Sequence, residues 1–241
     1  MRQLRVHFLP DLIPSAGLDG ATVVVIDCLR ATTTIAYALA AGAREVIPCL
    51  EVDEARQRAA SHRAQPALLG GERQGVRIAG FDLGNSPAEY ARDVVSGRTI
   101  VFTTTNGTRA MLRCQGAHQV LLGALVNRRS LVEALAREHN LQIVCAGTRG
   151  EISREDVLTA GAIAAPLLGD RNAWQWNDET TLAVDAWRSA EATDLTAALH
   201  DTQGGRNLVA EGFESDIAIA ARLDTIALVP RLDVQAWTIR A

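Results

Sequence analysis

The chain has 241 residues, 48% hydrophobic and 22% charged, with 19 glycines and 7 prolines, which excludes disordered, collagenous and coiled-coil classes and allows a sizeable core. The formal net charge of −4 gives no electrostatic footprint for nucleic acid. All 24 residues counted as Lys plus Arg are arginine, which rules out a P-loop lysine, a kinase lysine, a Schiff-base lysine and a pyridoxal-phosphate anchor. Every such cation is a planar guanidinium, suited to gripping a carboxylate, phosphate or sulfonate in two places. The four cysteines (Cys28, Cys49, Cys114, Cys145) are scattered without a CxxC pair. Zinc-ribbon and thioredoxin-type readings therefore fail, and a reducing compartment is expected. The N-terminus begins like a signal peptide but breaks at Pro10 and Asp11, and no apolar run reaches membrane-spanning length. A soluble, cytoplasmic protein with no membrane partner follows as the expectation.

Short β-branched runs alternate with Ala/Leu-rich segments, the pattern of an α/β protein with a largely parallel sheet and flanking helices. TVVVI (22–26) is an uninterrupted buried strand, and 31–41 a helix closed by Gly42. A strand over 45–49 and a polar-faced helix over 52–62 follow. Ser86, Pro87 and Glu89 read as N-cap, N1 and the closing residue of a capping box, hence a helix start. The alternation continues with a strand over 99–103, a helix over 107–113, segments 119–122, 126–139 and 141–145, and a helix capped by Ser153 and running to about 168. The last third reads as mostly helical: 178–190, 195–199, a Gly204-Gly205 turn, a helix near 213–221 and a short strand over 226–229. No linker divides the chain. One domain is expected, or two tightly packed lobes (about 1–168 and 169–241).

Three loops share one design, in which a buried strand runs through a short Thr- or Gly-rich loop into a helix: IDCLRATTT (26–34), VFTTTNGTR (101–109) and VCAGTRGEISRED (144–156). Loops after the strands of a parallel sheet emerge at its carboxyl edge, where ligands bind and helix N-termini attract anions. A fourth, longer loop, 70–86, is dense in Gly and in acidic and amide residues. Familiar phosphate chemistries can be tested by motif. No cysteine has Arg six positions later, and neither HExxH nor GxSxG occurs. Asp27 ends a hydrophobic strand as an aspartyl nucleophile would, but the second Asp and the Lys of such enzymes are missing. Carboxylates and arginines remain, the equipment for a Mg²⁺-assisted reaction on an anionic substrate.

Bland readings compete for each candidate. Asp27 could cap a turn, and Glu89 reads better as a cap than as a catalyst. Asp156, three residues after Ser153, is as well placed to cap as to bind metal, and Glu155 could lie on the surface. Arg30 near a helix N-terminus is unfavourable unless an anion sits nearby. Cys28 and Cys145 read as core residues, and Trp174, Trp176 and Trp187 as packing.

VVVIDCLRATTTI (23–35), GGERQG (70–75), FDLGNSPAEY (81–90), TTTNGTRA (103–110) and CAGTRGEISRED (145–156), followed by GGRNLVAEGFESDI (204–217) and ALVPRL (227–232), together resemble the 2-phosphosulfolactate phosphatase family. The similarity covers nearly the whole chain in order, and the stretch 169–201 is its least family-like part. The resemblance implies a family-specific α/β fold and a Mg²⁺-dependent hydrolase. That enzyme would convert 2-phospho-3-sulfolactate to 3-sulfolactate and phosphate, a step toward coenzyme M in methanogens. On this basis Asp27, Glu72 and Asp156 are expected to hold the metal, with Asp82 or Glu155 in reserve. Arg30, Arg73 and Arg109 would clamp the anions and, with Asp27 and Glu72, serve catalysis. Asn85, Ser86, Thr104, Thr105, Asn106, Gly107, Thr108, Gly147 and Thr148 would contact substrate. Attack by a carboxylate and attack by water stay open. A related phosphatase for another small phosphorylated acid and a non-catalytic anion binder are the rival readings. A homodimer is the base-rate expectation.

Overall fold

The computed structural model describes residues 1–14, 17–62, 66–169 and 173–241. In chain order the elements are β1 (Arg2–His7), β2 (Thr22–Ile26), α1 (Ala31–Ala40), β3 (Glu45–Cys49), α2 (Val52–Ser61), β4 (Leu68–Arg73) and β5 (Val76–Arg77). They continue with α3 (Arg92–Val95), β6 (Thr99–Thr103), α4 (Gly107–Arg113), β7 (Gln119–Gly123), α5 (Arg128–Leu135), β8 (Asn140–Cys145) and α6 (Arg154–Leu167). The last are β9 (Trp174–Trp176), α7 (Asp178–Glu191), α8 (Leu195–His200), α9 (Gln203–Ala210), α10 (Glu214–Ala220), β10 (Arg231–Asp233) and β11 (Thr238–Arg240).

The fold is mixed α/β, with strands in the order β5-β4-β6-β3-β11-β10-β7-β2-β8-β1-β9. Within β4-β6-β3 and within β7-β2-β8-β1-β9 every pairing is parallel. The β10/β11 hairpin joins these blocks through antiparallel pairs to β7 and β3, and β5 adds an antiparallel edge. Three successive reversals make the two blocks run in opposite senses, so the sheet is not one parallel array with a common carboxyl edge.

The strand β2 shows why the sequence carries so plain a signal. Val24 and Ile26 enter one core with Leu4, Ile143 and the helices α6 and α7. Val23 and Val25 enter another with Ile35 and Leu39 of α1 and Met111 of α4. Both faces are buried, so alternation disappears into a continuous apolar run, each side chain contributing roughly 1.5–3 kcal/mol. The second core also takes Val46, Ile100 and Phe102 from the other block. Both blocks thus pack on α1 and α4, and segments that follow β2, β6 and β8 meet around one cavity. On the opposite face α6 and α7 cross closely at Gly161, where a Cβ would overlap the Ala183 carbonyl.

Several expectations change. Ser86 starts no α-helix: Pro87–Glu89 is a single 3₁₀ turn and Ser86 makes no capping bond, its hydroxyl donating instead to Asp216 Oδ1 at 2.6 Å. Glu89 accepts from the Gly84 N–H at 2.8 Å. Ser153 makes no side-chain cap either; its hydroxyl pairs with that of Thr148 at 2.7 Å. Gly204 and Gly205 lie inside α9. The segment 226–229 is irregular, and strands form at β10 and β11 instead, so the final third is four helices followed by a hairpin. The Gly-rich stretch 70–73 belongs to strand β4. Among the described residues no helix is long and apolar enough to cross a membrane.

Candidate active site

A cavity of about 120 Å³ opens where the turn after β2, the β4–β5 turn, the loops after β6 and β8, and helix α9 converge. Asp27, Arg30, Glu72, Asn85, Thr105, Asn106 and Thr148 line it, joined by Leu29, Gln74, Gly75, Arg149, Gly204, Asn207, Leu208 and Glu211.

Asp27 stands at the end of β2, 8% exposed. Its Oδ2 approaches Gly107 so closely that a Cβ there would lie 2.8 Å away. Burial, reinforced by the charges of Glu72 and Glu155, pushes the Asp27 carboxyl up to about 7; the N–H groups of Ala31 and Gly107 pull the other way. Glu72 comes from β4. Its Oε2 accepts from the Gly75 N–H at 2.8 Å, and its Oε1 accepts from the Thr105 N–H at 3.0 Å and the Thr105 hydroxyl at 3.2 Å. Amides expected to await an anionic substrate are thus already turned to Asp27 and Glu72.

Asp156 sits behind this pair, 2% exposed. Cys28 N–H donates to its Oδ1 at 2.8 Å and Gly147 N–H to its Oδ2 at 3.0 Å. The carboxylate therefore ties the turn after β2 to the turn after β8, and Asp156 does not line the cavity. Burial and the charges of Asp27 and Glu155 still raise its proton affinity well above the usual carboxylate range. Glu155 is also buried, not on the surface. Its carboxyl is raised by burial, opposed by the Thr202 hydroxyl and the Gly204 N–H, and among the described residues its Oε2 has no hydrogen-bond partner. Asp82 is exposed and accepts from the Leu69 N–H at 2.8 Å, away from the cavity.

The arginines divide. Arg30 is 3% exposed; it donates to Asp216 Oδ2 at 2.8 Å and to the Gly75 carbonyl at 2.7 Å. Its guanidinium carbon lies 4.4 Å from the centroid of the Phe213 ring. Arg73, the next residue along β4, donates to the backbone carbonyls of Glu72 at 2.8 Å and Leu50 at 2.6 Å and to the Thr103 hydroxyl at 3.0 Å. Arg109 is exposed on α4. Neither Arg73 nor Arg109 lines the cavity. Thr104 and Thr108 are buried behind it, their hydroxyls 3.4 Å apart. Asn85 is held at its backbone carbonyl by the Thr34 hydroxyl at 2.8 Å, and among the described residues its buried Oδ1 has no hydrogen-bond partner. Gly147, at φ 66°, takes a backbone shape that glycine adopts without cost.

The sequence reading missed Arg149, Asn207 and Glu211 as cavity residues. Arg149 lies in the same loop as Thr148, so that loop's design was the available signal. Asn207 and Glu211 arrive through the packing of α9, which no local pattern announces.

Among the described residues, no three His, Cys, Asp or Glu side chains form a ready metal cluster. The donors at the cavity are carboxylate and amide oxygens. That is the chemistry of a hard cation held by one or two carboxylates, with water and substrate oxygens completing its shell.

A family model described as 2-phosphosulpholactate phosphatase matches residues 7–235. A protein of Symbiobacterium thermophilum named "Probable 2-phosphosulfolactate phosphatase" is 43% identical over 218 residues, covering 90% of this chain and 93% of the relative. Proteins of the same name from Clostridium novyi and Prochlorococcus marinus are 39% and 40% identical. The first alignment covers 91% of this chain and 95% of the relative, and the second covers 93% of each.

Proposed function

The chain belongs to the 2-phosphosulfolactate phosphatase family, and from that premise we propose that it hydrolyses 2-phospho-3-sulfolactate to 3-sulfolactate and phosphate in the cavity beside Asp27. One observation carries the reading. Asp27, Glu72, Glu155 and Asp156 are all buried, Asp27 lies close enough to Glu72 and Glu155 to feel their charges, and among the described residues no guanidinium pairs with Asp27. A cation bound beside Asp27 would offset this concentration of buried carboxylates.

Asp27 and Glu72 are the residues that would hold Mg²⁺, since both line the cavity while Asp156 and Glu155 do not. When bound, the ion shields the phosphoryl oxygens and stabilises the charge that develops on them during transfer. The chain's own groups do the rest. Gly75 and Thr105 fix the Glu72 carboxylate through three hydrogen bonds. Asp156 ties the backbone of the turn that carries Asp27 to the turn after β8. Arg30, locked by Asp216 and the Gly75 carbonyl, presents a fixed cationic edge at the wall. Preorganised charges of this kind do not have to reorient at the moment of reaction, which is where most of the acceleration originates. Leu29 and Leu208 supply apolar wall that reduces the water around the phosphoryl group.

The test is phosphate release from 2-phospho-3-sulfolactate with Mg²⁺ or with EDTA, beside 2-phospholactate, phosphoglycerates and p-nitrophenyl phosphate. Turnover favouring the sulfonate and lost in EDTA is the expected result. Absence of turnover on every compound by folded, Mg²⁺-supplemented protein would overturn the enzyme reading.

A further inference from the structure

The cavity's two guanidinium groups differ in what they are free to do. Arg30 is consumed by Asp216 and Gly75. Arg149 is anchored only through its backbone: its N–H donates to Asn106 Oδ1 at 3.2 Å, and Thr148 and Glu151 close the turn around it. The residue holds φ 54°, a left-handed conformation that is uncommon for a side-chain-bearing residue. Its exposed side chain lines the cavity. Among the described residues it makes no hydrogen bond and no ion pair.

Glu211 lies on the opposite wall, one residue past α9. Its carboxylate rests on Gly75, where a Cβ would overlap both oxygens. There it feels the attraction of Arg30 and Arg149 and the repulsion of Glu72. An anionic side chain of the protein itself thus stands in the cavity near its one uncommitted guanidinium.

We propose that Arg149 reads an oxyanion of the phospho-acid that is not transferred, its carboxylate or its sulfonate, and that Glu211 is the internal carboxylate this oxyanion displaces. The proposal rests on the phosphatase reading of the cavity. The charges give the reason. Asp27, Glu72 and Glu211 face Arg30 and Arg149, and Asp216 already neutralises Arg30. A cation at Asp27 and Glu72 would answer the phosphoryl group, but the carboxylate and the sulfonate of the substrate still need a positive partner. Arg149 is the remaining one, and a guanidinium matches a carboxylate or sulfonate in two places. Glu211 is exposed, so its release into water carries little desolvation penalty. A monoester without a second anion gains nothing from this exchange.

Arg149→Gln, Glu211→Gln and the double variant test this with 2-phospho-3-sulfolactate, 2-phospholactate and p-nitrophenyl phosphate, thermal melts verifying that each variant folds. Arg149→Gln should raise KM for the sulfonate about tenfold or more with kcat little changed, as expected for lost charge-assisted hydrogen bonds. KM for p-nitrophenyl phosphate should stay within about threefold, the scale of an exposed charge effect. Glu211→Gln should lower KM for the sulfonate about threefold, and this gain should vanish in the Arg149→Gln background. A loss shared with 2-phospholactate assigns the carboxylate to Arg149; a loss confined to phosphosulfolactate assigns the sulfonate. Equal effects of Arg149→Gln on all three substrates, or a Glu211→Gln gain that persists without Arg149, would overturn the proposal. Wild-type protein inactive on every compound would instead overturn the phosphatase reading beneath it.

Discussion

Arg30 and Asp216 form a buried ion pair of 2.8 Å between the turn after β2 and helix α10, across 186 residues of sequence. Ser86 donates to the other oxygen of Asp216, so one carboxylate joins three distant segments behind the cavity. Removing a single partner from such a pair strands a charge without water. Asp216→Ala should therefore lower unfolding stability by about 3–5 kcal/mol, read from urea unfolding midpoints. Ser86→Ala removes one hydrogen bond and should cost about 1–3 kcal/mol.

Glu155 and Gly204 set the position of α9. A Cβ on Gly204 would overlap Glu155 Oε1, and the Thr202 hydroxyl and Gly204 N–H both favour the ionised Glu155. The glycine is needed for this close approach. Gly204→Ala should destabilise by about 1–3 kcal/mol through overpacking. Because α9 carries Asn207 and Leu208 into the cavity, kcat/KM should fall more than the melting temperature alone explains. Unchanged kcat/KM in a destabilised variant would separate α9 from the chemistry.

What could be read from the sequence depended on where each signal is written. Thr22–Ile26, Glu45–Cys49 and Thr99–Thr103 matched their predicted bounds, because strands buried on both faces are continuous apolar runs. β4 hid behind Gly70 and Gly71. Gly71 takes φ 135°, and a Cβ there would overlap the Thr103 carbonyl, so its glycine reports a close strand contact rather than a loop. β1 was obscured by Arg2, Gln3 and Arg5 interleaved with Leu4 and Val6, and β10 and β11 by being three residues long. At the cavity, Asp27, Glu72 and Asn85 were legible because strand ends and Gly/Asn-rich turns announce themselves. The roles of Arg73 and Asp156 depend instead on which neighbour each side chain meets, and that is fixed only by tertiary packing.

The C-terminal hairpin offers a test of the architecture. β10 and β11 stand between the two parallel blocks, Leu232 and Ile239 are buried in the shared core, and Trp237 Nε1 donates to the Pro48 carbonyl at 2.7 Å. Deleting residues 231–241 would leave β7 and β3 as exposed inner edges, which template aggregation. The truncated chain should be found in large aggregates by size-exclusion chromatography, whereas the full-length protein elutes as a discrete species.

Asp27 gives the pH dependence its sign. Its carboxyl is raised from 3.8 to about 7 in the folded protein, so between those values the folded state binds more protons than the unfolded one. Stability then falls as pH rises from about 4 to 7, because ionising Asp27 costs more in the fold than in the open chain. The raised proton affinities of Asp156 and Glu155 act in the same direction. Asp224, lowered by Arg128 and the Arg129 N–H against the opposing effect of burial, has the opposite sign; its contribution is lost only as pH drops through the acid range. Protein stripped of divalent ions should therefore melt higher at pH 5.5 than at pH 8. Asp27→Asn removes the charge at nearly constant shape, so at pH 8 it should raise the melting temperature of the stripped protein while abolishing phosphate release. Adding Mg²⁺ at pH 8 should stabilise the wild type by neutralising the same charge and should stabilise Asp27→Asn much less. Equal Mg²⁺ shifts in both proteins would place the ion away from Asp27, and an active Asp27→Asn would remove this residue from the catalytic centre.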